Sequence, residues 1–523
     1  MPAIGHPDRR EWAQNAWSRG TKGGWSGLVE QPNVLIVVID QLRADCVHGA
    51  LSDFVDLPNI RALAKDGVLF DQHYSVTSPC GPSRVSLLTG QYAMNHRSVR
   101  NGTPARRDTP NLATELLKVG REPLLFGYTD TPPDPRDMAP DDPRLFSYEG
   151  LAPGFTEVLR FRLEEGNGEW EAHLRSLGIQ ETRYPQMYKP EGDTPDAPAV
   201  YSAKDSDTAF LTDRVIEDLS GRPKGWTALV TYIRPHPPFV APAPYNTMYN
   251  SDDVPAPKSA EDTHPSMAAS RERASIASTV VGFPDLEPSE ENARLLRAIY
   301  FGLATEVDHH LGRLFDWLRK SGQYDDTLII LTSDHGEMLG DYGLWSKMTY
   351  HDAAFKVPLI IRTPNGKKDR VVDDFTESVD IAPTVLDLLG LDRPSSMDGR
   401  SLGPFLTGVR PPDWRKYSFS ELDLGNPIKP TAWQELLGFD LDAANLAVLR
   451  TKQHRFVQFG GDTPCVLFDL EGEGEGQNLA EDPSKLRICL DLSRQMLCHR
   501  MQNPDGTFSR SLVTSEGLKV AAT

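Results

Sequence analysis

The sequence predicts an α/β protein with a large, mixed but mostly parallel β-sheet that lies between layers of helices. Two observations predict this class. Apolar, β-branched runs alternate with helical patterns along most of the chain, as expected for strands joined by helical crossovers. The run from Asn33 to Ile39 is almost entirely apolar, which is typical of a parallel strand buried on both faces.

The individual elements follow from the same patterns. We predict strands at 33–40, 67–70, 123–127, 226–232, 326–332 and 357–361, and helices at 57–65, 109–119, 205–219, 290–320 and 378–390. Gly120 and Gly390 end two of these helices, because glycine is favoured just after a helix terminus. Short strands within 448–459 and 465–470 and a helix over 483–500 then predict a small C-terminal α+β subdomain.

These patterns divide the chain into four parts: an N-terminal arm (1–32), an α/β catalytic domain (33–411), the C-terminal subdomain (412–505) and a tail (506–523). Two insertions near 130–200 and 243–288 interrupt the α/β domain. We expect the first to cover the site or a subunit contact and the second to be a long loop or lid. Because the tryptophan-bearing arm and the tail extend beyond the fold, we expect a homo-oligomer, a dimer or tetramer.

Composition excludes several partners. The net charge is −19, so we expect no nucleic acid and no anionic membrane surface as partner. No apolar run has the length of a membrane span, and the N-terminal segment lacks the apolar core of a secretory signal. The five scattered cysteines predict neither a disulfide framework nor a metal-binding cysteine pair. We therefore expect a cytoplasmic protein.

The most informative segment is Cys80-Gly-Pro-Ser-Arg84, which Ser86-Leu-Leu-Thr-Gly90 follows. Pro82 suits the first turn of a helix, and the residue before it, Gly81, is expected to be extended. Cys80 would then lie where backbone N–H groups and the helix dipole favour anions, a suitable place for a nucleophile. The alternative is a cysteine that is merely buried in a strand-to-helix turn.

Two predicted strands end in acids. Asp40 is followed in the chain by Gln41, and Asp334 is followed by His335. Ligands collect at the carboxyl ends of parallel strands, so these side chains predict a divalent-metal site. The imidazole favours a transition metal such as Mn²⁺. The alternatives are a helix cap at Asp40 and a loop without a ligand at 334–335. We interpret 308–310 as core or surface, and 351–352 as a weaker candidate near the site.

The pattern C-x-P-S-R-x-x-L-L-T-G resembles the signature of the sulfatases, a branch of the alkaline phosphatase superfamily. The resemblance covers roughly residues 33–482 and implies an alkaline phosphatase-like fold. The segments 95–101, 127–129 and 232–239 are most similar to phosphonate monoester hydrolases and related promiscuous arylsulfatases.

The resemblance also implies a mechanism. Cys80 would be oxidised to formylglycine by a formylglycine-generating enzyme or an equivalent, and the hydrated aldehyde would attack sulfur or phosphorus. One divalent metal ion, with Mn²⁺ favoured and Ca²⁺ or Zn²⁺ possible, would be held by Asp40, Gln41, Asp334, His335 and Cys80. The other implied roles are orientation and charge compensation by Arg84, a hydrogen bond to the nucleophile from Asn101, leaving-group assistance by His236 and Lys347, and pocket lining by Tyr128 and Asp130.

The sequence departs from the sulfatase pattern at three places: Gln41 replaces an acid, His335 replaces an asparagine, and Gly127-Tyr-Thr-Asp-Thr131 replaces a Gly-Lys-x-His segment. It also has Asp130 where the phosphonate hydrolases have threonine. An ionised Asp130 would repel a dianion more than a monoanion, which favours small monoanionic esters. We therefore predict an arylsulfatase with promiscuous phosphonate monoester and phosphodiester hydrolysis. The alternatives are a phosphonate monoester hydrolase or phosphodiesterase, a catalytically silent member of the fold, and a metal-dependent phosphoryl transferase that uses an unmodified residue.

Overall fold

The computed structural model describes residues 31–164, 167–259, 264–472, 474–508 and 511–520. Predictions for the N-terminal arm therefore concern residues that lie almost entirely outside the described ones. The strands are β1 (Asn33–Ile39), β2 (Val68–Phe70), β3 (His73–Tyr74), β4 (Pro123–Gly127), β5 (Thr156–Arg160), β6 (Thr227–Tyr232), β7 (Thr327–Thr332), β8 (Leu359–Arg362), β9 (Arg370–Val372), β10 (Thr376–Glu377), β11 (Tyr417–Asp423), β12 (Asn445–Thr451), β13 (His454–Phe459), β14 (Val466–Asp469), β15 (Ser511–Thr514) and β16 (Gly517–Val520).

The α-helices lie between these strands and after them. They are α1 (Ala44–Val47), α2 (Pro58–Lys65), α3 (Cys80–Thr89), α4 (Ala93–His96), α5 (Leu112–Lys118), α6 (Gly168–Ser176), α7 (Asp207–Ser220), α8 (Pro265–Arg273), α9 (Glu290–Lys320), α10 (Asp352–Phe355), α11 (Ile381–Leu388), α12 (Gly403–Thr407), α13 (Ala432–Leu437) and α14 (Leu486–Gln502). Within the described ranges, each helix is either too short or too polar to span a lipid bilayer.

An eight-stranded sheet with the order β5-β4-β6-β1-β7-β8-β2-β9 forms the centre of the molecule. Strand β8 is antiparallel to β7 and β2, and the other neighbours pair in parallel. Alternate side chains of β1 enter different cores: Leu35 and Val37 pack in one, and Val34 and Ile36 in the other. Both faces of the sheet are therefore covered, which confirms the predicted fold class.

Most predicted elements are present within a few residues, and α9 has the predicted bounds. Gly81 was expected to be extended, which is wrong, because helix α3 already begins at Cys80. The predicted strand region 448–459 is a hairpin, with β12 and β13 joined through Lys452 and Gln453. The first insertion contributes β5 to the sheet edge as well as α6.

The C-terminal part contains a four-stranded antiparallel sheet, β11-β12-β13-β14, with α14 packed beside β13. A parallel bridge joins Thr77 to Glu421 of β11, and the Glu421 N–H donates to Val76 O at 2.8 Å. The predicted α+β subdomain is therefore present, and it abuts the segment that leads into α3. Within the predicted tail, β15 and β16 form a hairpin.

Candidate active site

The carboxyl ends of β1 and β7 bring the two predicted metal acids together. These strands are parallel neighbours with Val38 opposite Thr332, so Asp40 and Asp334 follow them at the same edge. Gln41 adopts a left-handed conformation with φ 67°, and its N–H donates to Asp334 Oδ1 at 3.2 Å. The two strand-end carboxylates therefore lie close together, as the sequence predicts.

Cys80 occupies the first position of α3, directly beneath this edge. Its Sγ lies 3.1 Å from His335 Nε2 and 4.0 Å from Asp40 Oδ1. The amide of Gly81 donates to Asn101 Oδ1 at 3.0 Å, so the asparagine caps an amide beside the nucleophile position. A Cβ at Gly81 would lie 2.7 Å from Asp130 O, which explains the need for glycine there.

Asp40, Cys80, Asp334 and His335 form a buried donor cluster, with one ligand atom of each within 4.8 Å of the others. His335 Nδ1 lies 3.1 Å from Gly336 O and can donate to it, which leaves Nε2 as the electron-pair donor. Burial lowers the pKa of His335 to about 4, so the imidazole is neutral, as a metal ligand must be. Burial, with the added repulsion of Asp334, raises the pKa of Asp40 to about 6. This donor set fits a divalent cation, which would neutralise both carboxylates.

Gln41 has other partners at the same edge. Its Oε1 accepts a hydrogen bond from Lys347 Nζ at 2.7 Å, and its side-chain amide donates to Glu337. Glu337 Oε1 also accepts the N–H groups of Leu339 and Ser346. Glu337 therefore anchors this loop, a role that sequence analysis missed although the residue belongs to the segment Thr332–Glu337. The assignment of Gln41 as a metal ligand stays a prediction.

Arg84 projects from α3 into the carboxylate pair. Its Nη2 donates to Asp40 Oδ2 at 2.8 Å and to Asp334 Oδ2 at 2.9 Å. The guanidinium carbon lies 3.8 Å from the centre of the Tyr128 ring, and the Tyr128 hydroxyl donates to Asp40. Arg84 therefore holds both acids and compensates their buried charge, and its orientation of the position-80 oxygens stays a prediction.

Asp130 lies in the pocket wall in a left-handed backbone conformation, with φ 47°, which aspartate adopts more readily than most residues. The residue is 4% exposed, and its Oδ1 has no hydrogen-bond partner among the described residues. Its Oδ2 lies 3.7 Å from Arg84 Nη1. Burial raises the pKa of Asp130 to about 7, so the carboxyl is only partly ionised at neutral pH. The expected repulsion of dianions therefore applies in full only above pH 7.

His236, which is half-buried, and the buried Lys347 form a pair in the same cavity as the donor cluster. Lys347 Nζ lies 2.9 Å from His236 Nε2, and His236 Nδ1 lies 2.5 Å from Pro237 O. Burial, followed by the charge of Lys347, lowers the pKa of His236 well below its usual value. Burial alone would lower the pKa of Lys347, but Cys80, Asp40 and Asp334 raise it. Lys347 is thus the cation of the pair, and neutral His236 accepts its hydrogen bond.

A cavity of about 340 Å³ opens above this centre. Its lining includes the predicted residues Asp40, Cys80, Asn101, Tyr128, Asp130, His236 and Lys347. The outer wall contains Tyr148 and Tyr184 from the first insertion, Arg273 from the second, and Asn426 from the C-terminal subdomain. No local motif predicts these four residues, because three separate chain segments meet here only through folding.

The weaker candidate at 351–352 lies outside the cavity. His351 stacks between the rings of Tyr342 and Tyr350, and Asp352 pairs with Arg450 and Arg455. Asp352 therefore ties α10 to the C-terminal subdomain, and neither residue lines the cavity.

The fold and the site place a cysteine at a helix start beside a buried cluster of metal-type ligands, at the carboxyl ends of two parallel strands. The family model "Sulfatase" matches residues 32–391, and the chain belongs to this family of the alkaline phosphatase superfamily. Enzymes of the family use a metal ion and a formylglycine.

Particular relatives refine this placement. The phosphonate monoester hydrolase SpPMH from Silicibacter pomeroyi is 53% identical, with a TM-score of 0.91 over 94% of this chain and 99% of that chain. The phosphonate monoester hydrolase of Agrobacterium radiobacter is 39% identical, with a TM-score of 0.89 over 94% and 100%. The multifunctional alkaline phosphatase superfamily protein PehA from Trinickia caryophylli is 37% identical over 93% of this chain and 98% of its own length.

Proposed function

We propose that this protein hydrolyses phosphonate monoesters and turns over other monoanionic esters, including aryl sulfates and phosphodiesters, at the same centre. The observation that carries the proposal is the convergence of Cys80, two strand-end carboxylates and His335 within 4.8 Å. The likeness to two phosphonate monoester hydrolases supports phosphorus as the preferred reacting atom. This reverses the order expected from the sequence, which favoured aryl sulfates.

The environment of Cys80 makes an unmodified thiol a poor candidate for the nucleophile. Burial, with the added repulsion of Asp40, raises the pKa of the Cys80 thiol well above its usual value. An unmodified Cys80 would remain a neutral thiol and a weak nucleophile. A formylglycine supplies a hydroxyl nucleophile instead, and its formation requires a formylglycine-generating enzyme or an equivalent.

A divalent metal would be held by Asp40, Asp334, His335 and position 80, with Gln41 as a further proposed ligand. When bound, such an ion lowers the pKa of a nucleophilic hydroxyl and neutralises anionic charge on the substrate. Other residues hold these ligands in place: Arg84 donates to both carboxylates, and the Gly336 carbonyl orients His335.

Lys347 is placed to assist departure of the alcohol. Its Nζ donates to His236 Nε2 and Gln41 Oε1, and the residue lines the cavity beside Cys80. A buried ammonium group can stabilise the developing negative charge on the leaving oxygen or transfer a proton to it. We assign this role to Lys347, with His236 as the acceptor that orients it.

Two measurements test the proposal together. Mass spectrometry of the tryptic peptide 66–84 should show the mass loss of thiol-to-aldehyde oxidation. With Mn²⁺ supplied, kcat/KM should be highest for an aryl phosphonate monoester, lower for an aryl sulfate and a phosphodiester, and lowest for a phosphate monoester. The change Cys80→Ala should abolish all four activities, and Cys489→Ala, at another buried thiol, should retain them. An unmodified thiol with activity that survives Cys80→Ala would refute the proposal.

Aryl sulfate hydrolysis as the main activity is the second candidate. The match of the sulfatase model over residues 32–391 favours it, and a sulfate monoester carries the same single charge as a phosphonate monoester. The substrate comparison above separates the two candidates, because kcat/KM for the aryl sulfate would then exceed that for the phosphonate ester.

A further inference from the structure

One arginine holds the loop that carries His236. Arg234 is 1% exposed and follows β6 directly after Ile233. Its Nη1 donates to His236 O at 3.1 Å and to Pro238 O at 2.8 Å, and its Nε donates to Asp207 Oδ2 at 2.9 Å. The same side chain therefore fixes the backbone at His236 itself and two residues beyond it.

The first insertion and the residues after it, up to Asp207 at the start of α7, form the buried seat of this arginine. The guanidinium carbon lies 4.3 Å from the centre of the Tyr188 ring, and Nη2 donates to the Tyr201 hydroxyl at 3.4 Å. The Tyr188 hydroxyl in turn donates to Asp207 at 3.4 Å. Trp170 packs against the rings of both tyrosines, so the seat is a buried aromatic cluster.

We infer that Arg234 is a positioning residue for leaving-group departure, and that residues 170–207 serve as the scaffold that holds it. Arg234 fixes the His236 backbone, His236 Nε2 accepts from Lys347 Nζ, and Lys347 faces the cavity. A shift of this loop would therefore misplace the Lys347 ammonium relative to the departing oxygen. This inference rests on the proposed function, because it concerns the proposed role of Lys347.

The contacts require a guanidinium group. Arg234 meets two carbonyls, one carboxylate and one aromatic face at the same time, which suits a planar fork with several N–H donors. A lysine retains the charge but has one compact head group that cannot reach all of these partners. The change Arg234→Lys should therefore loosen the loop without leaving Asp207 unpaired.

The experiment measures kcat/KM for a series of aryl phosphonate monoesters whose phenols range from low to high pKa. A displaced Lys347 matters most for poor leaving groups, since these need the most help from an acid or a cation. For Arg234→Lys we expect a small loss of kcat/KM with the best leaving group and a loss of about 100-fold with the poorest. This value is at the lower end of the range for general acid catalysis. The dependence of log kcat/KM on phenol pKa should thus become steeper.

The chain offers a matched control in Arg362. This arginine is 2% exposed, donates to the carbonyls of Tyr324 and Thr327, pairs with Asp325, and lies 4.4 Å from the Tyr324 ring centre. It lies at the edge of the sheet remote from the cavity, because β8 runs antiparallel to β7. Arg362→Lys should lower the thermal unfolding temperature and leave the leaving-group dependence unchanged.

Further variants keep the test decisive. In a Lys347→Ala background, Arg234→Lys should add no further steepening, because both changes remove the same assistance. If Arg234→Lys does not fold, Asp207→Asn replaces it, because the neutral amide weakens the ion pair and should also steepen the dependence. Equal slopes for the wild type, Arg234→Lys and Asp207→Asn would overturn the inference. A wild-type enzyme that cleaves none of the esters would instead refute the proposed function.

Discussion

Asp130 illustrates how a single side chain changes the expected chemistry. The sequence has an acid at position 130, where the resemblance to phosphonate hydrolases implies a threonine, and an acid next to an anion-binding centre suggests repulsion. In the structure the carboxyl is buried, and its pKa rises to about 7. Its charge therefore depends on pH within the working range of an enzyme.

We predict that Asp130→Asn changes the pH profile in one direction. Below pH 7 the wild-type carboxyl is mostly neutral, so both proteins should have similar kcat/KM for a monoanionic aryl ester. Above pH 7 the wild type gains a negative charge and the variant does not, so the ratio of variant to wild type should rise, by about 3- to 10-fold between pH 6 and 8.5. Asparagine tolerates the positive φ of this position, so the backbone should be retained.

Asp137 provides the control for this prediction. It lies in the same segment with a positive φ of 66°, but it is exposed and pairs with Arg107. Asp137→Asn should therefore leave the pH profile unchanged. A ratio for Asp130→Asn that is flat from pH 6 to 8.5 would show that Asp130 does not titrate beside the substrate.

At the scale of elements, helix α9 shows where pattern and packing diverge. The helix is 31 residues long, and its bounds follow from the apolar periodicity and the N-cap Ser289, whose hydroxyl accepts from Asn292 N. The periodicity gives no reason for Gly302 inside it. In the structure, a Cβ at Gly302 would lie 2.0 Å from Tyr245 O, because the loop at 245–247 packs directly on the helix.

We predict that Gly302→Ala destabilises the protein although alanine is the better helix former. The higher intrinsic helix propensity of alanine would by itself stabilise the folded protein by about 1 kcal/mol. The clash with a backbone carbonyl opposes it and should cost about 1–3 kcal/mol or more, as overpacking of a core does. Thermal unfolding should therefore begin at a lower temperature than in the wild type.

Gly168 is the matched control, because it is also helical and lies at the start of α6. A Cβ added at Gly168 would meet no atom of the described residues within 4 Å. Gly168→Ala should therefore be neutral or slightly stabilising. If the two variants unfold at the same temperature, the close approach of residues 245–247 to α9 is not rigid.

At the scale of the whole molecule, the candidate centre joins parts that are far apart in sequence. Asp40 follows β1, Cys80 begins α3, and Asp334 follows β7, and all three are buried. A bound cation would therefore link the central sheet to the helix that covers it. Its removal would leave two close carboxylates that pair directly with Arg84 and are compensated further only by the charge of Lys347.

We predict that removal of the metal lowers the unfolding temperature. A ligand that binds only the folded state at about 100 times its Kd contributes about 2.7 kcal/mol, so chelation should produce a shift of several degrees, and added Mn²⁺ should reverse it. Asp334→Asn should largely abolish the shift. Asp325→Asn changes an exposed acid just before the start of β7, at the end of the strand away from Asp334. This variant should retain the shift in unfolding temperature. A shift of the same size in both variants would place the stabilising ion elsewhere.

Local sequence determined much of this protein. Apolar runs specify β1 and β7, and apolar periodicity specifies α9, because strand and helix periodicity depend on neighbouring residues alone. The segment that begins at Cys80 specifies the family for the same reason, since its residues are adjacent in the chain. The meeting of the two strand-end acids also follows, because parallel strands end at a common edge.

Only the tertiary structure decided which of these groups touch and in what state of charge. The pairing of Lys347 with His236 spans 111 positions, and the seat of Arg234 combines an insertion with a loop after β6. The pKa of Asp130 depends on burial, which no local pattern measures. These contacts result from packing between distant segments, whereas strands, helices and motifs are encoded by residues that lie next to one another.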